Sequence, residues 1–171
     1  MHNQSVSRSA TRPSVVAAAA ALTLLAALAF LMLRPSAGQA APAKDPVVST
    51  AKTSLGQILV DSRGRTLYMF DKDEHGKSAC NGKCASFWPP LIAAAKPRAA
   101  GGAKASLLGT TKRADGRLQV TYHGHPVYTF VKDTKKGQTN GEELNAFGAE
   151  WYALSSAGNE VHKKGSSKGG Y

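Results

Sequence analysis

The chain has 171 residues, enough for one domain with a substantial core and too few for two large ones. Its 22 Lys and Arg against 11 Asp and Glu give a net charge of +11, which favours polyanionic surroundings such as anionic lipid headgroups, wall polymers or nucleic acid. The positive charges are scattered outside the Lys/Gly/Ser C-terminus, and no zinc finger, RNA-binding aromatic motif or basic helix accompanies them, so nucleic acid is not an expected partner.

Residues 1–14 are polar and carry Arg8 and Arg12 with no acid. Val15 to Leu33 is an uncharged run of mostly Ala and Leu, ended by Arg34-Pro35 and followed by small residues through Ala41. A basic start, an apolar middle and a small-residue cleavage region describe a secretory signal peptide over residues 1–40, with Gly38 and Ala40 at the small positions before the cut. The run is also long enough for an uncleaved membrane anchor, and Arg8 and Arg12 place its N-terminus inside. Both readings put the remainder outside the cytoplasm, secreted or held at the outer face of the cytoplasmic membrane. That remainder has lost Arg8, Arg12 and Arg34 and no acid, so its 19 basic and 11 acidic residues leave a charge of +8.

Residues 41–53, with Pro42 and Pro46, read as an extended linker, and the domain is expected over 54–156. Gln57–Asp61 and Thr66–Phe70 flank a glycine turn and predict a β-hairpin. Strand periodicity puts Thr66, Tyr68 and Phe70 on one face and Leu67 and Met69 on the other; both faces are largely apolar, so both should be covered. A polar loop, Asp71–Lys77, leads to Cys80 and Cys84, then to Phe87-Trp88-Pro89-Pro90, where Trp88 is the expected core anchor. Ala93–Ala105 has little to bury and reads as a connector.

The hairpin then recurs: Arg117–Tyr122, a turn at His123-Gly124-His125-Pro126, and Val127–Val131. Leu67-Tyr68-Met69-Phe70-Asp71-Lys72-Asp73 returns 60 residues later as Val127-Tyr128-Thr129-Phe130-Val131-Lys132-Asp133, and Gly64 returns as Gly124. Trp151 closes the second unit as Trp88 closes the first. The expected architecture is therefore mainly β: two similar hairpin units, about 54–94 and 115–156, packed with a pseudo-two-fold relation into one small domain behind an N-terminal signal or anchor helix. Residues 157–171, rich in Gly, Ser and Lys, are expected to be a disordered basic tail.

These residues resemble the bacterial secreted-repeat family, also described as predicted lipoproteins with a Tyr-x-aromatic-x-x-Asp motif. Tyr68 to Asp73 and Tyr128 to Asp133 fit that motif. Cys80 and Cys84 followed by Trp88-Pro89-Pro90-Leu91, and His123 to Tyr128 with Gly148 to Trp151, are similar to its two repeat signatures. The chain lacks the lipobox cysteine, so lipid anchoring does not carry over. The resemblance implies an extracytoplasmic domain and supplies no reaction, substrate or catalytic residue.

Several residues could carry chemistry. Cys80 and Cys84 are the only cysteines, and an oxidising compartment makes a structural disulfide the simplest pairing. A redox-active pair is the alternative, favoured by Lys77, Lys83 and His75 nearby but lacking Cys-x-x-Cys spacing; metal or haem attachment is a third, without the haem signature. Asp71, Asp73, Glu74 and His75, with His123 or His125, are weak metal candidates; the calcium-loop pattern is absent and a solvated loop explains them as well. Asp73 and Asp133 recur at equivalent places, which points to a structural task such as accepting backbone N–H groups. Tyr68, Phe70, Tyr128, Phe130, Trp88 and Trp151 read as core, with an exposed aromatic groove as the alternative. No nucleophile elbow, zinc-protease motif or phosphate loop occurs, so neither an enzyme nor a cofactor is expected. The leading expectation is an envelope-associated binding or structural module for anionic lipid headgroups or envelope polymers; the alternative is an extracytoplasmic redox protein using Cys80 and Cys84.

Overall fold

The computed structural model describes residues 46–94, 96–163 and 165. The expected signal or anchor, residues 1–40, lies outside them. Among the described residues no helix is long and apolar enough to cross a membrane. The domain is built from short strands: β1 (Val47–Thr53), β2 (Gly56–Asp61), β3 (Tyr68–Phe70), β4 (Arg98–Ala99), β5 (Leu108–Lys112), β6 (Leu118–Tyr122), β7 (His125–Pro126) and β8 (Trp151–Ala153). One short helix, α1 (Lys83–Phe87), and a 3-10 turn at Ala105–Leu107 interrupt them. Three small sheets result, ordered β2-β1-β4, β3-β8 and β5-β6-β7.

Part of the expected linker is a strand. β1 pairs antiparallel with β2 from Val48↔Asp61 to Thr53↔Gly56. Its sequence, Val-Val-Ser-Thr-Ala-Lys-Thr, is rich in β-branched residues, and Gly56 at φ 102° makes the return turn that other residues resist. β5 and β6 form the equivalent hairpin, from Leu108↔Tyr122 to Lys112↔Leu118, with Gly116 at φ 82° in the turn. The repeated unit thus begins one strand earlier than expected. The expected hairpins are kept in their first pairs: Val60 bridges Thr66 and Leu67 N–H donates to Leu59 O (3.0 Å), while β6 pairs with the two-residue β7 and Val127 N–H donates to Val120 O (3.0 Å).

The motif strands go elsewhere. β3 pairs with β8, Tyr68↔Ala153 to Phe70↔Trp151, so the first motif lies along the Trp segment of the second repeat. In return, Tyr128 bridges Pro90, and Thr129 N–H and Val131 N–H donate to Pro89 O (2.9 Å) and Phe87 O (3.1 Å). Proline has no N–H to give, so this second ladder stays thin and Val127–Val131 is not a regular strand as expected. The reciprocity continues outward. Leu91 N–H reaches Val127 O (3.0 Å) as Leu154 N–H reaches Leu67 O (3.3 Å), and Val120 N–H reaches Leu91 O (2.8 Å) as Leu59 N–H reaches Leu154 O (2.7 Å). Each repeat is completed by the last segment of the other.

Two other expectations change. The connector contributes a strand: β4 adds parallel to β1, Val47↔Arg98 and Val48↔Ala99, and Ala93 is buried. Backbone pairing on an open strand edge needs no apolar side chain, which is why composition missed it. The expected tail is packed as far as Lys163. Leu154 bridges Glu160, Val161 N–H donates to Ala153 O (2.9 Å), and Lys163 Nζ donates to Glu142 O (2.9 Å).

The core has two clusters on the two faces of the first motif strand. Leu67 and Met69 join Val48, Leu59, Val120, Tyr122 and Tyr152; Tyr68 and Phe70 join Trp88, Tyr128, Phe130, Trp151 and the cysteines. Both faces are covered, as the alternation predicts.

Candidate functional site

Tyr68 and Tyr128 meet at the centre. Tyr68 N–H donates to Tyr128 O (2.9 Å) and Tyr128 N–H to Tyr68 O (3.0 Å). Each phenol crosses to the aspartate of the other repeat: Tyr68 OH donates to Asp133 Oδ2 (2.6 Å) and Tyr128 OH to Asp73 Oδ2 (2.7 Å). The other oxygen of each carboxylate holds its own loop, Asp73 Oδ1 taking Ala79 N–H (2.8 Å) and Asp133 Oδ1 taking Asn140 N–H (2.9 Å). The first and last residues of the Tyr-x-Phe-x-x-Asp pattern therefore bind the repeats together. Burial raises both phenols, and it pushes Asp73 up to about 6 against the opposing pull of Ala79 N–H, Tyr128 and Arg113. Asp133 is also raised by burial.

Beside the tyrosines the rings form a four-layer stack. Phe70 lies 4.1 Å from Trp151, Trp151 3.8 Å from Trp88 and Trp88 4.2 Å from Phe130, centroid to centroid. Repeats alternate along it, and Tyr68 and Tyr128 stand edge-on to Trp88 and Trp151. Gly141 is required here: a Cβ would sit 2.6 Å from the Trp88 ring.

Cys80 and Cys84 are disulfide-bonded with Cα atoms 5.2 Å apart, and both are buried. The buried Arg113 guanidinium anchors this loop from the second repeat, donating to Cys80 O (2.6 Å), Ser78 Oγ (2.7 Å) and Gln119 Oε1 (2.5 Å). The Ser78 hydroxyl in turn lies 2.8 Å from the Tyr128 phenol oxygen and donates to it, the single phenol proton going to Asp73.

Two surface features lie outside this framework. The first is a groove of about 340 Å³ lined by Phe87, Leu144, Phe147, Lys83, Lys132 and the edge of Trp88. Phe87 and Phe147 have ring centroids 6.0 Å apart. Phe87 ends α1, next to the disulfide; Phe147 sits at φ 61° before Gly148 at φ 93°, in a tight turn closed by Ala146 and Ala149. An aromatic residue in the left-handed region is strained, and here it is held outward. Lys72 Nζ lies against Gly148. The second feature is a concavity of about 450 Å³ lined by Met69, His123, His125 and Glu160.

A family described as a secreted repeat of unknown function matches residues 49–92 and 109–155. The chain belongs to this family. The two matches begin 60 residues apart, and both take in the strands β1 and β5 that open the hairpins. No curated protein and no solved structure matches the chain. A secreted-repeat protein acts outside the cytoplasm, in keeping with its disulfide.

Within this secreted repeat the six motif and tryptophan aromatics are all buried together, and Asp73 and Asp133 bind both backbone N–H groups and tyrosines. His75 is not joined to the other weak metal candidates as a ligand set: among the described residues no three His, Cys, Asp or Glu side chains stand in ligating positions. Its turn does touch theirs, since a Cβ on Gly76 would lie 3.2 Å from Gly124 O. Sequence reasoning passed over Arg113, Gln119 and Glu142, all buried, and Phe87, Leu144 and Phe147, all exposed. Nothing in the sequence separates Arg113 and Glu142 from the chain's many other charges. Phe147-Gly148 did carry a signal, an aromatic residue where a turn favours Asn or Asp before glycine.

Proposed function

We propose that the domain is an envelope-associated binding module whose contact face is the Phe87–Phe147 groove and whose ligand is the anionic lipid surface. The observation that carries this reading is a cluster of exposed apolar side chains within a ring of lysines. Phe87, Leu144 and Phe147 are 37% to 40% exposed, line the groove together and account for three of the five large exposed hydrophobics among the described residues. Lys83 and Lys132 line the groove, and Lys72 stands beside the Phe147 turn. Lys72 and Lys132 are the paired lysines of the repeated motif, so the motif that locks the core also supplies cations to one rim.

Exposed aromatic and aliphatic side chains bind the headgroup boundary through buried apolar area, and each lysine near an anionic surface adds about 1 kcal/mol. Lys163, Lys164 and Lys168 near the C-terminus would reinforce this attraction. The redox alternative draws no support from the disulfide, because a thiol partner needs access to sulfur and both cysteines are buried.

Co-sedimentation tests the reading. The domain should pellet with phosphatidylglycerol vesicles and not with phosphatidylcholine, and release as salt rises. Phe87→Ser with Phe147→Ser should reduce retention about tenfold, and deletion of residues 164–171 less than that. Retention unaffected by salt and by the double Phe variant would overturn it; retention by wall fragments alone would replace lipid with wall polymer.

A further inference from the structure

The second concavity lies away from the groove and owes nothing to it. Two of the chain's five histidines, His123 and His125, line this face. His123 and His125 flank Gly124 across the β6–β7 turn and line the concavity with Met69 and Glu160. His162 Nε2 is 3.3 Å from Glu160 Oε1. Their ring centroids being 6.4 Å apart, His123 and His125 are near the spacing at which two imidazoles share one ion: metal–nitrogen bonds of about 2.0 Å give centroid separations of roughly 5–6 Å.

The surroundings prepare the two rings differently. His123 Nδ1 lies 3.4 Å from Gly158 O, a contact that in the Nδ1–H tautomer turns Nε2 outward as the ligand atom. Gly158 is closed against His123: at φ 85°, a Cβ there would come within 2.3 Å of the His123 Cβ. His125 is half-buried and stands edge-on to the exposed His123. The Asp71 and Glu160 carboxylates act on His125 and make the face attractive to a cation on an otherwise basic domain. Among the described residues no third His, Cys, Asp or Glu completes a ligand set with the two rings; Glu160 and Asn159 also line the concavity, and the Met69 thioether is its one sulfur donor.

We propose that His123, His125 and Met69 form a copper(I) site. The thioether is a soft ligand that selects copper(I), and imidazole suits copper while disfavouring the oxygen-preferring divalent ions. Copper(I), a closed-shell ion, accepts two nitrogens at a wide angle with a third, weaker sulfur, which suits two rings splayed across a two-residue turn.

The test is anaerobic competition of the full domain against the copper(I) chelator bicinchoninate, with zinc(II) titrated separately. One equivalent of copper(I) should be withdrawn from the chelator, with much weaker zinc(II) binding. His123→Ala and His125→Ala should each weaken copper(I) at least 100-fold, and Met69→Leu, close in volume, about tenfold. His75→Ala should leave affinity unchanged. Near-ultraviolet circular dichroism of the Trp88–Trp151 stack reports whether each variant is folded. X-ray absorption at the copper edge should show nitrogen and one sulfur in the wild type and nitrogen alone in Met69→Leu. No copper(I) withdrawn by the wild type, unchanged stoichiometry and affinity in the folded double His variant, or sulfur retained in Met69→Leu would each overturn the proposal.

Discussion

The two repeats are alike where they touch and unlike where they do not. In both, a β-hairpin leads through a glycine turn into the Tyr-x-Phe segment, the tyrosine crosses to the other repeat's aspartate, and the tryptophan stacks on the other repeat's phenylalanine. Between aspartate and tryptophan they diverge. The first repeat carries a stapled helix, Cys80–Cys84 and α1; the second carries a longer loop that brings Gly141 to Trp88, buries Glu142 and turns at Phe147-Gly148. Exchange of segments constrains both copies of the framework, because a change in one repeat is felt by the other. Where the loops reach solvent, as at Phe87 and Phe147, a duplicated sequence is free to acquire different side chains.

If the stack is the common framework, its two tryptophans should be equivalent. Trp88→Ala and Trp151→Ala should each cost about 3–5 kcal/mol, measured as loss of unfolding free energy in urea. The double variant should cost clearly less than the sum, since the rings lose the same 3.8 Å contact with each other. A much smaller loss at one position would show that the pseudo-symmetry of geometry is not a symmetry of energy.

The tyrosine–aspartate links should split the repeats more finely. Tyr68→Phe leaves the buried Asp133 without its phenol, whereas Tyr128→Phe leaves Asp73 half-exposed and near Arg113. The expected losses are about 2–3 kcal/mol for Tyr68→Phe and about 1 kcal/mol for Tyr128→Phe, by the same unfolding measurement. Equal losses would mean that Arg113 does not compensate Asp73.

A further difference is in pH dependence. Burial pushes Asp73 up to about 6 and Glu142 up to about 7 from ordinary carboxyl values of 3.8 and 4.5. A carboxyl raised on folding holds its proton more tightly in the native state, so its contribution is complete below the unfolded value and is lost as pH rises through the folded one. Glu142 is the stronger case: Ala153 N–H satisfies one oxygen at 2.7 Å, and the other is buried without a hydrogen bond. The domain should therefore be more stable near pH 4.5 than near pH 8 by roughly 1–2 kcal/mol from this residue. Glu142→Gln should flatten the profile between about pH 5 and 8. A variant profile parallel to the wild type would assign the slope to Asp73 and Asp133, which sit in the shared framework, and not to the divergent loop.

Composition, the 60-residue repeat and strand periodicity determine that this is a mainly β secreted domain made of two similar units, with a disulfide in the first and aromatic residues at its centre. These are local properties: spacing and residue type carry them wherever the segments go. Which segment pairs with which was settled only in three dimensions. Nothing in Thr66–Phe70 distinguishes a hairpin partner at Gln57–Asp61 from a partner at Trp151–Ala153, because backbone hydrogen bonds are the same with either; the aromatic stack and the crossed tyrosines favour the exchange. The same reason hid both candidate surfaces. Phe87 and Phe147 are 60 residues apart, as are Lys72 and Lys132, and only the interlocking of the repeats brings them to one rim. His123 and His125 are adjacent to a turn in any reading, but Met69 joins them through the tertiary packing of the first motif strand.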